Sequence, residues 1–244
     1  MRISKGVWGG CLVALGSLLA SIVPPAAPAG AVTSASTLYK EALATTKAWS
    51  VHYASDGTLS KAPFLESGDA GPTAGTQTVL VGSGTTADSA NLIVIGDLTY
   101  MSGNTRALED LIGLTATEAA EVKSQWVLFS TNNRTYSAVV AGVRSHDVAQ
   151  EIAVKGPYTL GQARTIDGFK VDAIEGTQKL QGAKVQRVVL YVRAKGTPLI
   201  VEEDTINAKG QSNGLEHMVF SKWGEAVKPM APPSTITLGG VNAT

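Results

Sequence analysis

RVVLYVRAKGTPLIVEE, residues 187–203, gives the clearest fold signal in the chain. Its apolar residues Val188, Leu190 and Val192 occupy alternate positions, flanked by two arginines. Successive side chains of a strand point to opposite faces of a sheet, so this spacing predicts a half-buried strand. Gly196–Pro198 predicts a turn into a second strand. The stretch as a whole predicts an antiparallel hairpin.

Similar signals extend outward from this hairpin. Further strands are predicted at 76–81, 92–95, 98–101, 125–129, 169–173 and 215–223. Helices are predicted at 36–48, after Asn104, after Thr115 or Thr117, and at 134–142 and 145–154. The Gly-, Ser-, Asp- and Pro-rich residues 54–75 and the polar residues 205–214 predict loops. Because the strands follow one another as hairpins and no βαβ alternation occurs, the predicted fold class is α+β, a single domain with a largely antiparallel sheet.

The N-terminus has the layout of a signal peptide. Arg2 and Lys5 precede the uncharged, mostly apolar residues 7–23, and Ala29-Gly30-Ala31 offers a small-residue cleavage site. We expect residues 1–31 to be removed and the protein to be exported, either secreted or held in the cell envelope. The alternative is an uncleaved membrane anchor, for which the apolar run is only just long enough.

The predicted mature chain, residues 32–244, is large enough for one domain with a core of its own. Its tail from residue 228 is rich in proline, and we expect it to be loosely ordered. It contains 18 basic and 20 acidic side chains, and a net charge of −2 argues against a nucleic-acid partner. Cys11, the single cysteine, precedes most of the apolar run, so a lipid anchor there is not expected.

Two glycine-rich stretches match catalytic or cofactor motifs only superficially. Residues 210–214 fit G-x-S-x-G and residues 82–87 resemble a dinucleotide-binding turn. Neither leads into the helix that these motifs require, so both are interpreted as hairpin loops. His52, His146 and His217 lack metal-ligand spacing. We therefore predict no catalytic residue, no metal and no cofactor.

Three consecutive carboxylates, Glu202-Glu203-Asp204, end a predicted strand. A calcium loop would need a denser set of oxygen ligands and a sharp glycine turn. The sequence-based interpretation is a solvated sheet edge, where charge discourages pairing with another chain.

The order and spacing of several segments resemble the actinobacterial cell-envelope proteins of the LppX/LprG type, whose fold is similar to that of the LolA/LolB lipoprotein carriers. The segments are 49–52, 92–100, 125–127, 156–159, 166–171 and 190–199. The resemblance implies a strongly curved antiparallel sheet, a half-barrel, wrapped around several helices. It also implies a non-enzymatic monomer that carries a lipid or glycolipid in an apolar cavity. Such proteins commonly carry a lipidated N-terminal cysteine, which this chain lacks.

On this hypothesis, apolar residues of the helices and of one strand face supply the cavity wall. They are Leu108, Leu111, Ile112, Val139, Ile152, Val188, Leu190 and Val192. Two alternatives stay open. The same residues could form a filled core in a protein that works by contact with an envelope protein partner. A hydrolase whose site is assembled from distant residues would instead show a polar cavity with a histidine near carboxylates.

Overall fold

A computed structural model describes residues 34–59, 61–130, 142–179 and 185–237. The predicted signal peptide and all but the last residue of the predicted helix 134–142 lie outside these residues. The described helices are α1 (Ala35–Ala48), α2 (Thr105–Ile112), α3 (Ala116–Glu121) and α4 (Ser145–Glu151). The described strands are β1 (Val51–Leu59), β2 (Ala62–Ala70), β3 (Ala74–Val81), β4 (Asp88–Ile95), β5 (Leu98–Gly103), β6 (Val127–Ser130), β7 (Lys155–Leu160), β8 (Arg164–Ile166), β9 (Phe169–Lys179), β10 (Val185–Arg193), β11 (Ile200–Ile206), β12 (Ser212–Ser221) and β13 (Ile236–Thr237).

The thirteen strands form one sheet in the order β13-β6-β5-β4-β3-β2-β1-β12-β11-β10-β9-β7, with β8 paired to β9 beside β7. Every pairing is antiparallel except β13 with β6, so part of the predicted loose tail adds a short parallel strand. The sheet is open and curved, with the helices on its concave face. The predicted α+β class and the half-barrel around helices are confirmed.

Two apolar cores divide the concave face. In what we call the α1/α4 half, helices α1 and α4 pack on β1 and β9–β12. In the α2/α3 half, helices α2 and α3 pack on β4–β6. Strands β2 and β3 lie between the two halves.

Helix ends follow the residues that the sequence marks for them. The Asn104 side chain accepts a hydrogen bond from the amide of Ala107 at the start of α2. Thr115 and Glu118 form a reciprocal capping box at the start of α3. Gly113 ends α2 at φ 72°, a left-handed conformation that glycine adopts without strain. The predicted caps Asn104 and Thr115 are confirmed.

The predicted loop at residues 54–75 is wrong, because most of it belongs to β1 and β2 and runs into β3. The small residues are there for packing rather than for turning. A Cβ at Gly68 would lie 2.3 Å from the carbonyl oxygen of Thr76 and 2.7 Å from the hydroxyl oxygen of Tyr53. Glycine at position 68 therefore lets the Tyr53 ring lie directly on the sheet. Composition alone does not distinguish glycines that serve such packing from glycines that mark a loop.

Candidate functional site

Four of the eight predicted wall residues meet in the core of the α1/α4 half. Ile152, just after α4, packs in one cluster with Val188, Leu190 and Val192 of β10, and all four are fully buried. Their common face follows from the alternation along β10 and from the pairing of β10 with β9 and β11. The structure therefore brings together the strand face and one of the helical residues that sequence analysis nominated.

The other predicted wall residues do not join this cluster. Leu108 of α2 is fully buried in the core of the α2/α3 half. The side chains of Leu111 and Ile112, and the whole of Val139, lie outside the described residues. Leu108 therefore stands apart from the candidate site.

Helix α1 covers this core with few polar contacts. The Tyr39 hydroxyl donates to the Val154 carbonyl at 3.0 Å, and its ring stacks on Tyr158 with ring centres 4.5 Å apart. Burial, reinforced by Tyr158, raises the pKa of Tyr39 to about 12. The Ser145 hydroxyl of α4 donates to the Lys47 carbonyl at the end of α1. None of the described backbone hydrogen bonds joins α1 to the sheet.

A cluster of carboxylates borders the apolar core on the same face of the sheet. We call Glu66, Glu151, Glu203 and Glu216 the acidic cluster. Glu203 of β11 is only 1% exposed, whereas Glu66 of β2 and Glu216 of β12 are half-buried. The interpretation of Glu203 as part of a solvated edge is wrong, because β11 is paired on both sides and Glu203 faces the interior.

Strand register explains how the acidic cluster and the apolar core come into contact. Across the sheet, Glu66 pairs with Ser55, Ser55 with Met218, Met218 with Glu203, and Glu203 with Leu190. Paired residues of antiparallel strands project from the same face. Glu203 thus lies between the buried side chains of Met218 and Leu190. Beyond Met218, this row of paired residues continues through Ser55 to Glu66.

The fully buried Glu203 has the most perturbed environment of the described carboxyls. Both of its oxygens lack a hydrogen-bond partner among the described residues. Burial raises the pKa of Glu203 well above its usual range, and the charges of Glu216, Glu151 and Asp204 raise it further. Desolvation also raises the pKa of Glu216. These shifts favour the protonated forms of Glu203 and Glu216.

Glu66 belongs to a hydrogen-bonded network at the border between the two halves. The Gln77 amide donates to Glu66 Oε1 at 2.8 Å and to the Tyr53 hydroxyl at 3.1 Å. Tyr53 in turn donates to the Gly142 carbonyl at 2.9 Å. Burial raises the pKa of Glu66 to about 7, against the opposing effect of the Gln77 hydrogen bond. A Cβ at Gly142 would lie 3.1 Å from Glu151 Oε2, which places α4 beside this network.

Sequence analysis missed the acidic cluster, although a signal for part of it was present. Three successive carboxylates on one strand cannot share a face, so at least one of Glu202, Glu203 and Asp204 had to point inward if the strand were central. The sequence did not show that β11 is central. Glu66 and Glu216 carried no comparable signal.

An open cleft of about 270 Å³ lies elsewhere, where β1–β3 meet the segment after β12. It holds His52, whose Nδ1 lies 2.8 Å from Asp69 Oδ1, together with Thr76, Lys222 and Glu225. A histidine paired with a carboxylate is the feature expected of an assembled hydrolase site. None of the described hydroxyl or thiol groups is hydrogen-bonded to His52, although Thr76 lines the same cleft.

The described part of the chain was also compared with the requirements of a metal site and of a membrane-spanning helix. No group of three His, Cys, Asp or Glu side chains there is arranged to hold a metal ion. None of the helices described is both long enough and apolar enough to cross a membrane.

Comparison with known proteins supports the fold. The chain is similar in structure to LprF from Mycobacterium bovis, with a TM-score of 0.54, 15% sequence identity, and coverage of 81% of this chain and 96% of LprF. A LolA superfamily protein from Nitrosomonas europaea, NE2245, matches at a TM-score of 0.30 and 11% identity, covering 81% of this chain and 96% of that one. No protein-family model and no curated protein matches the chain. The likeness to LprF confirms the predicted LppX/LprG type of fold.

Proposed function

We propose that this protein binds a lipid or glycolipid between its sheet and helix α1, and carries it within the cell envelope without changing it chemically. The observation that carries the proposal is the continuous apolar core of the α1/α4 half on the concave face of an LprF-like fold. Ile152, Val188, Leu190 and Val192 are the residues that would contact the acyl chains.

Helix α1 is the element that would yield to the ligand. Its 14 residues are attached to the rest of the described structure by apolar packing and by few hydrogen bonds, chiefly Tyr39 to Val154 and Ser145 to Lys47. Displacing it breaks no hydrogen bond of the β-sheet ladder. The sheet can therefore stay intact while the core beneath α1 opens.

The energy available from an acyl chain is sufficient for such an opening. Burial of a chain contributes roughly 0.8 kcal/mol per methylene group, so a sixteen-carbon chain offers about 13 kcal/mol before costs. This exceeds the few kcal/mol that one short helix with little polar attachment needs to move. The ligand would replace the helix as the cover of the apolar strand face.

A filled core supports a second candidate function. The four residues that would contact the acyl chains have no exposed surface, as expected of a protein that works by contact with an envelope partner. On this alternative, the α1/α4 core would stay closed and no lipid would copurify.

Native mass spectrometry of the protein purified from its own host's envelope, followed by organic extraction, separates the two functions. The carrier proposal predicts a stoichiometric added mass that extracts as lipid. A clean apo mass that persists after incubation with host lipid extract would overturn it.

Two overpacked variants supply a matched control for this experiment. Leu190→Phe adds bulk to the α1/α4 core, and Leu108→Phe adds the same bulk to the α2/α3 core. Both are expected to lose some stability. Only Leu190→Phe should reduce lipid occupancy, by several-fold. Equal losses in both variants would indicate a general effect on folding and would contradict the assignment of the site.

A further inference from the structure

The acidic cluster offers a specific chemical environment at the edge of the proposed lipid site. A group of acidic residues alone does not define a binding site. Here two buried polar groups in the row across β1, β12 and β11 also lack partners. Ser55 Oγ, in a residue 4% exposed, and both oxygens of Glu203, in a residue 1% exposed, have no hydrogen-bond partner among the described residues. Ser55 and Glu203 project from the same face of the sheet, on either side of Met218. Buried polar groups are nearly always satisfied, so two unsatisfied groups this close on one face suggest a ligand group that would satisfy them.

The charge around Glu203 indicates which kind of group fits. The side chains that most affect it, Glu216, Glu151 and Asp204, are all acidic. None of the ion pairs formed among the described residues includes Glu66, Glu203 or Glu216. An anionic head group would be repelled here, whereas a cation would satisfy the carboxylates. Since the carboxylates are not grouped for a metal ion, an organic cation is the better match.

The position of the acidic cluster fits an amphipathic ligand. Glu203 pairs across the sheet with Leu190, a member of the apolar core, so a polar group at Glu203 has a hydrocarbon-lined surface directly beside it. Glu66 and Glu216 keep part of their surface in solvent. The carboxyls therefore form a graded path from solvent to the fully buried Glu203.

We propose that the acidic cluster binds the positively charged head, an amine or a guanidinium, of an amphipathic ligand whose alkyl chain lies in the core of the α1/α4 half. This inference rests on the proposed function. The head group donates hydrogen bonds to Glu203 and Ser55, and Glu66 and Glu216 contribute charge on its solvent side. Glu203 gives up its proton to solvent when the cation binds, so binding of the amine releases protons.

Four amphiphiles with a ten-carbon chain, counting the carboxyl carbon of decanoate, differ in head group and test the proposal. They are decylamine, decan-1-ol, decanoate and decyl glucoside, each titrated calorimetrically at pH 7.5 below its micelle concentration or solubility limit. We expect decylamine to bind at least tenfold more tightly than decan-1-ol, and decanoate more weakly than decan-1-ol. Because decylamine binding releases protons, its heat should vary with the ionisation enthalpy of the buffer, and that of decan-1-ol should not.

Glu203→Gln removes the inward carboxylate, and Glu202→Gln removes its neighbour on the opposite face, where Glu202 pairs with Arg164. In Glu203→Gln we expect the preference for decylamine to fall to within threefold and the buffer dependence to disappear, with decan-1-ol binding unchanged. In Glu202→Gln the preference for decylamine and the buffer dependence should both persist. This pattern distinguishes a role for Glu203 in binding from a general effect on folding.

Each other outcome has a definite meaning. If decan-1-ol binds and decylamine shows no preference, the head-group inference is overturned and the lipid-binding function stands. Preference for decyl glucoside over decylamine would also overturn it, in favour of a sugar head. If none of the four compounds binds, the proposed function itself is contradicted, and the inference with it.

Discussion

The α1/α4 half and the α2/α3 half share one sheet but treat inward-facing carboxylates differently. In the α2/α3 half, Asp88 Oδ1 at the start of β4 accepts no hydrogen bond from the described part of the chain, but it lies 3.1 Å from Arg106 Nε of α2, which offsets its charge. In the α1/α4 half, Glu203 is more deeply buried and is unpartnered among the described residues. A buried carboxyl with neither a cation nor a hydrogen-bond donor beside it costs stability. A less deeply buried carboxyl beside an arginine costs much less. The contrast supports the proposal that the α1/α4 half binds the ligand while the α2/α3 half stabilises the fold.

Helix capping does not separate the two halves. Helices α2 and α3 begin with side-chain caps, and so does α1, where Ser34 accepts a hydrogen bond from the Thr37 amide. At the start of α4 the Asp147 side chain accepts from the Arg144 amide, and Glu151 at its end lies beside the acidic cluster. On the proposed function, we expect mutations of equal size in the two cores to affect binding in the α1/α4 half only.

The largest effects should come from cavities in the two cores. Leu108→Ala and Leu190→Ala each remove a fully buried leucine and should each lower the free energy of unfolding by about 3 kcal/mol, measured by urea denaturation. Saturating decan-1-ol should stabilise Leu190→Ala more than it stabilises the wild type, because the ligand fills the new space. It should stabilise Leu108→Ala no more than the wild type. If decan-1-ol instead stabilised Leu108→Ala more than it stabilised Leu190→Ala, the assignment of binding to the α1/α4 half would be wrong.

Removing the inward carboxyls should change stability by different amounts. Glu203→Met replaces an unpartnered buried acid with an apolar side chain of similar size, and should raise the free energy of unfolding at pH 8 by about 2 kcal/mol. Asp88→Asn removes the ion pair with Arg106, but burial raises the pKa of Asp88 and offsets that pair, so the change in the free energy of unfolding should stay within about 0.5 kcal/mol. Chemical denaturation of both variants measures the difference. A loss of stability in Glu203→Met would show that the carboxyl has a structural role in the empty protein.

The pH dependence of stability should come mainly from the α1/α4 half. Burial raises the pKa of Glu66 from 4.5 to about 7 in the folded protein, so the folded state holds a proton that the unfolded state has lost. Stability should therefore fall as the pH rises from about 4.5 to about 7, by about 1–2 kcal/mol after allowance for the solvent contact of Glu66. Thermal denaturation across this range measures the slope. Glu66→Gln should reduce the slope and leave the part that comes from Glu203 and Glu216, whose pKa values burial also raises. An unchanged slope would contradict this assignment.

The smallest effect concerns the cap of α2. Asn104→Ala removes the hydrogen bonds from the Ala107 amide and to the Ala87 carbonyl, and should lower stability by about 1 kcal/mol. Asn104→Asp retains the acceptor and should recover part of the loss. Neither change should alter binding of decan-1-ol, since α2 belongs to the other core. A binding defect in Asn104→Ala would show that the two halves are coupled.

Patterns within single elements were sufficient to predict much of the fold. Alternation at Val188, Leu190 and Val192 identified β10, and side-chain chemistry at Asn104 and Thr115 identified the starts of α2 and α3. These signals are local, because each depends on residues within one turn or one strand. The hairpin of β1 and β2 was missed because its small residues serve contacts with distant groups, such as Tyr53 on Gly68.

The candidate site was predictable only in its apolar part. Val188, Leu190 and Val192 share a face by alternation alone, and Ile152 joins them through the packing of α4. The acidic cluster depends on which strands are neighbours. Glu203 and Glu216 lie on the consecutive strands β11 and β12, but Glu66 lies far from them in sequence, and only the register across β2, β1, β12 and β11 brings all three to one surface.

Hydrogen–deuterium exchange with and without decan-1-ol tests most directly whether the α1/α4 half binds the ligand while the α2/α3 half only stabilises the fold. We expect the ligand to change amide protection in α1, α4 and β9–β12 and to leave α2, α3 and β4–β6 unchanged. Changes confined to α2 and α3, or spread evenly over both halves, would contradict it.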